Sequence, residues 1–129
     1  MGHVFVQVTI SNPTDGALKS QVEALVDTGA TVTVLPRSLA DSLKLPITGR
    51  GRARTATGEI VLDRGGAFIQ INGEGALNPV LLSETIDRVL VGVVTLETLS
   101  LTVDPSSGQL RQGELFLYPS LIRQDGGSP

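Results

Sequence analysis

The chain has no cysteine, no tryptophan, one histidine and 3% aromatic residues among its 129 positions. Without cysteine there is no disulfide framework, no thiolate metal ligand and no thiol nucleophile, which permits a reducing compartment without proving one. The single histidine, His3, stands beside the N-terminus. Ser-His-Asp catalysis and a histidine-built metal site are therefore set aside, and neither metal nor cofactor is expected. The ten basic residues never cluster as a tail or stripe and the formal net charge is −3, so nucleic acid is not an expected partner. No run approaches the roughly 18 apolar residues of a membrane span, so no membrane association is expected. Met1-Gly2-His3-Val4-Phe5-Val6-Gln7 lacks both a basic segment and an unbroken apolar core. Val6 also stands where a myristoylation motif wants Ser or Thr. The expectation is a cytoplasmic protein.

What is present is aliphatic. Forty per cent of residues are hydrophobic, and with so few aromatics the core has to be built from Val, Leu, Ile and Ala, which suits an all-β protein. The length allows one domain, read here as 1–123 with a disordered tail over 124–129. Val4, Val6, Val8 and Ile10 alternate with Phe5, Gln7 and Thr9, predicting a strand with one aliphatic face. A turn at 11–16 precedes a second strand from Lys19 to Val26, returning antiparallel. A short strand, Val32 to Leu35, meets Pro36, which is suited to open a helix running to Lys44. Between Gly49 and Ile71 a hairpin is predicted with its tip at Thr57-Gly58, closed by Asp63-Arg64-Gly65-Gly66. Asn72-Gly73 marks another hairpin, joining Ala67–Ile71 to Leu77–Leu82. Arg88 to Gly92 is an apolar strand ending in a glycine that some backbone must approach closely. A short helix (Val94 to Leu99), a turn between Leu101–Val103 and Gln109-Leu110, and a last strand (Leu115 to Tyr118) complete the reading.

The stretch Ala24-Leu25-Val26-Asp27-Thr28-Gly29-Ala30-Thr31-Val32-Thr33-Val34-Leu35 sets one carboxylate between two apolar runs. Removing an ionised carboxylate from water is costly unless it is hydrogen-bonded or neutralised. Two readings account for it. Asp27 caps a turn by accepting N–H groups of Gly29 and Ala30, or it carries chemistry.

Asp27-Thr28-Gly29-Ala30, flanked by Ala24-Leu25-Val26 and Thr33-Val34-Leu35, resembles the active-site loop of the retropepsin-like aspartic proteases. Val89-Leu90-Val91-Gly92 followed by a short helix resembles that family's second element, a hydrophobic pair and glycine packed beside the loop. The hairpin at Thr57-Gly58 stands where the family keeps its flap. The resemblance implies a closed β-barrel or sandwich of acid-protease type with one or two short helices. It assigns catalytic roles to Asp27, Thr28 and Gly29, and substrate contacts to Ala30, Thr31, Thr57, Gly58, Leu90 and Val91. Because the chain holds one such motif, it further implies a homodimer in which two Asp27 carboxylates share a proton across a two-fold axis and activate water against a peptide or protein substrate. A dimerisation or peptide-binding module of the same fold, with little or no turnover, is the alternative. An exposed arginine-rich hairpin without a flap's role also remains open.

The sequence departs from the retroviral pattern at three places. Retroviral members carry acidic residues after the loop and an arginine after the second glycine, whereas Thr31-Val32 and Val93 stand here. Both partners of that ion pair are replaced together, so the likeness is to cellular and bacterial members. The apolar segment from Glu114 to Ile122 is then either a dimer surface or part of the monomer's own core.

Overall fold

The computed structural model describes residues 3–104 and 106–113. Alternation along the first strand has the predicted effect: in Val4–Asn12 (β1), Val8 and Ile10 are buried while Phe5 and Gln7 are exposed. Its partner Asp15–Val26 (β2) runs antiparallel from Val4↔Val26 to Asn12↔Asp15, beginning four residues earlier than the sequence indicates. The turn between them is held by Asn12, whose Oδ1 accepts N–H groups from Thr14 and Asp15. Its Nδ2 donates to the carbonyls of Leu43 and Lys44. One buried amide thus ties the first hairpin to the end of the first helix.

The chain continues through Thr33–Pro36 (β3), Arg37–Ser42 (α1), Ile47–Thr55 (β4), Gly58–Ile71 (β5), Glu74–Ser83 (β6), Val89–Val91 (β7), Val93–Thr98 (α2), Leu101–Val103 (β8) and Leu110–Gln112 (β9). The main sheet has the order β1-β2-β7-β3-β6-β5-β4, and β1 also pairs with β5 through Ile10↔Ile69. Six strands therefore close a barrel, with β4 attached to the same edge of β5 that receives β1. Closure removes the free edges of those strands. Inside lie Ile10, Leu35, Ile69, Ile71, Val80, Leu82 and Val91, with the two helices and Leu99 and Leu101 packed on the same core. This is the all-β architecture with two short helices that the sequence implied.

Asn72 and Gly73 both take positive φ, 54° and 84°, as the two-residue hairpin turn requires. The expected break at Asp63-Arg64-Gly65-Gly66 is not present: β5 runs unbroken for 14 residues. The glycines serve close approach instead, since a Cβ on Gly65 would lie 2.4 Å from the carbonyl oxygen of Pro46. The helices are displaced from their predicted spans by one or two residues, which the fraying of helix ends accounts for. The predicted strand Leu115 to Tyr118, the Glu114–Ile122 segment and the tail lie outside the described residues. No helix among the described residues is long and apolar enough to cross a membrane.

Candidate active site

Strands β2 and β3 are not neighbours, because β7 lies between them, parallel to β2 and antiparallel to β3. Residues 27–32 must therefore cross the end of β7, and they do so over Gly92. A Cβ there would meet the Val32 carbonyl carbon at 2.7 Å and the carbonyl oxygens of Val32 and Ala30 at 2.8 and 2.9 Å. Only glycine permits that crossing, as the sequence pattern required.

Backbone bonds fasten the loop on both sides. The Asp27 N–H donates to Val91 O at 2.9 Å, Val93 N–H to Ala30 O at 2.8 Å and Val94 N–H to Thr31 O at 2.9 Å. The last two are N–H groups at the start of α2, which have no partner inside their helix. Beneath the crossing, the Gly92 N–H donates to Thr33 Oγ1 at 3.0 Å, and that hydroxyl lies 2.6 Å from Thr95 Oγ1. Both threonines are buried, at 1% and 0% exposure. Sequence reading missed this pair. Its only signal is a hydroxyl at an inward position of an otherwise apolar strand.

Asp27 is half-buried, with Thr28 and Gly29 exposed beside it. Its Oδ1 accepts the Gly29 N–H at 2.9 Å. The expected second bond, from Ala30, goes instead to the main-chain oxygen of Asp27 at 3.0 Å. The turn closes through backbone there, so the side chain is left with a single local donor and its carboxylate stays at the rim.

Strand alternation places Asp27 on the same outer face as Leu25. Register extends that face across the barrel: Leu25 pairs with Leu90, Leu90 with Val34, Val34 with Leu81, and Leu81 with Arg64. The four apolar residues are all half-buried, forming a band beside the loop. Of the residues the resemblance assigned to substrate, Leu90 lies in this band, Thr31 is exposed and Ala30 is half-buried. Val91 points the other way. It is 0% exposed, and its carbonyl is taken by Asp27, so its side chain has no access to a ligand. It supports the loop from below.

The β4–β5 hairpin projects as a two-stranded ribbon, since β6 pairs with β5 only from Asp63 onward. Cross-strand partners share a face, so Ala53, Ile60 and Leu62 lie on one side, and Arg50, Arg52, Arg54, Glu59 and Asp63 lie on the other with Val61 as the one apolar residue among them. Leu81 lies against Gly51, where a Cβ would approach it to 2.7 Å, so the apolar side adjoins the band. At the ribbon's base Asp63 pairs with Arg37 of α1 at 2.7 Å and with Arg50 at 3.7 Å. Thr57 and Gly58 are at the exposed turn, where Thr55 Oγ1 donates to Gly58 O at 2.8 Å. Among the described residues no three His, Cys, Asp or Glu side chains gather as a metal site.

The sequence model of a family described as aspartyl protease matches residues 6–113. No curated protein matches the chain.

Proposed function

The chain belongs to the aspartyl protease family, and from that premise we propose that it is a homodimeric endopeptidase whose active site is completed by a second copy. The observation that carries this reading is the Asp27-Thr28-Gly29 loop. Its carboxylate is held at the barrel rim by one local hydrogen bond and a backbone scaffold, above a half-buried apolar band. One chain supplies one such carboxylate, and a two-fold axis brings its twin. Two carboxylates at hydrogen-bonding distance cannot both stay ionised, so the pair holds one proton.

The ionised Asp27 takes a proton from a water lying between the two, and the water oxygen attacks the scissile carbonyl carbon. The protonated Asp27 gives its proton to the carbonyl oxygen as that oxygen gains charge. Collapse of the tetrahedral intermediate returns a proton to the departing amine, and no covalent enzyme intermediate forms. Thr28 supports the loop from across the axis, while Gly29 lets substrate backbone lie close. Ala30 and Thr31 contact that backbone. The band of Leu25, Leu90, Val34 and Leu81 accepts apolar side chains beside the scissile bond. The ribbon, with Thr57 and Gly58 at its tip, closes over the substrate and excludes water.

The experiment is cleavage of a fluorogenic peptide library from acid to neutral pH by the wild type and Asp27→Asn, with solution mass measured in parallel. The wild type is expected to be a dimer with a bell-shaped pH profile and sensitivity to a pepstatin-type inhibitor. Asp27→Asn is expected to keep fold and dimer without cleaving. Turnover by purified Asp27→Asn, or a wild type that stays monomeric at high concentration, refutes the assignment.

A further inference from the structure

Arg64 is the polar end of the outer-face row that begins beside the candidate catalytic loop. It is exposed, pairs in register with Leu81 and therefore lies on the face that carries Leu90 and Val34. Its guanidinium is already placed. Nη1 donates to the Arg50 carbonyl at 3.0 Å, and Nη2 and Cζ lie over Gly49, where a Cβ would come within 2.5 Å and 3.4 Å of them. Gly49 and Gly51, two apart on one face of β4, clear the room for Arg64 and Leu81 in turn.

Among the described residues Arg64 has no carboxylate within ion-pair distance, whereas Arg37 and Arg50 share Asp63 and Arg111 holds Asp104. Arg52 and Arg54 lie on the opposite face of the ribbon. Arg88 covers the Phe5 ring at 5.4 Å. A preoriented guanidinium with N–H groups to spare matches the two oxygens of a carboxylate.

We propose that Arg64 forms a carboxylate-binding subsite that selects peptides carrying Asp or Glu a few residues from the scissile bond. This rests on the endopeptidase reading above. Four interstrand spacings of ~4.8 Å separate Leu25 from Arg64, roughly 19 Å along the sheet and about six residues of extended peptide. A peptide that follows the outer surface therefore reaches Arg64 about five to six positions from the bond. The formal net charge of −3 works against acidic peptides at long range, so the preference has to come from a local cation.

The test uses peptides identical except for Glu or Gln at each of the second to sixth residues on either side of the bond. Wild type should favour Glu at one of these positions by about three- to tenfold in kcat/KM, mainly through KM. Arg64→Gln should lower the Glu peptide to the level of the Gln peptide. Arg64→Lys, which keeps charge and loses the fork, should retain part of the preference, and Arg88→Gln should leave it intact. The same peptides are titrated by fluorescence anisotropy onto Asp27→Asn protein, with and without Arg64→Gln, which reads the subsite without turnover. Cleavage with no preference, or one that survives Arg64→Gln, overturns the subsite alone. Arg64-dependent binding without wild-type cleavage upholds the subsite and removes the hydrolase. Absence of both removes both.

Discussion

Replacing Thr33 by valine keeps the side-chain shape and removes one oxygen, so its effect isolates the hydroxyl under the loop. That oxygen accepts the Gly92 N–H at 3.0 Å and lies 2.6 Å from Thr95 Oγ1, all in a buried setting. Thr33→Val strands a buried backbone N–H and a buried hydroxyl, each costing about 1–3 kcal/mol. A threonine hydroxyl can turn back on the carbonyl three or four residues before it, here Gly92 or Val91 just ahead of α2, which lowers the total to about 3 kcal/mol. Thr95→Val leaves the Gly92 bond in place and should cost only about 1 kcal/mol. In the double variant one orphan of the first substitution no longer exists, so the two effects should fall short of additivity by about 1 kcal/mol. The assay is urea unfolding followed by circular dichroism, at one protein concentration because any self-association is linked to stability. Peptide cleavage, measured alongside, should fall by more than about tenfold for Thr33→Val, since the loop's floor shifts under Asp27. A Thr33→Val protein with an unchanged urea midpoint, or strictly additive valines, would show that the hydroxyl pair does not hold the loop.

Gly92→Ala places a methyl against the Val32 and Ala30 carbonyls at 2.7–2.9 Å; it should destabilise the fold by at least about 3 kcal/mol and abolish cleavage, read by urea unfolding and peptide turnover, and a protein as stable as wild type refutes the crossing. Asp104 is held down to about 2 from 3.8, first by the Ser106 hydroxyl and N–H and then by Arg111. With the folded value below the unfolded one, its contribution is complete above pH 3.8 and is lost as pH falls towards about 2. Carboxyl NMR titration should show this low midpoint and its rise in Ser106→Ala; an ordinary midpoint in the folded wild type overturns the assignment.

Much of the fold is legible in local pattern because one face of each strand is buried. Val8 and Ile10 against Phe5 and Gln7, or Asn72-Gly73 at positive φ, follow from rules acting over two to four residues. The break expected at Gly65-Gly66 fails for the opposite reason. Those glycines answer to Pro46, some twenty positions away, and nothing in their own neighbourhood distinguishes close approach from a turn. The candidate site divides in the same way. Asp27-Thr28-Gly29 and the apolar strand ending at Gly92 are contiguous motifs and can be read. Val91 and Leu90 look alike in sequence, and only register shows that one faces the barrel interior while the other faces outward.

The sequence by itself determined the residue types: an aliphatic all-β core, one carboxylate loop and a glycine reserved for a crossing backbone. Tertiary structure alone decided which side chains share a face, because that depends on which strands become neighbours. Placing β7 between β2 and β3 sends the loop over Gly92, puts Thr33 beside Thr95, and aligns Leu25, Leu90, Val34, Leu81 and Arg64. Those five come from five separate strands, and their chemistry exists only once hydrogen-bonded register brings them to one surface.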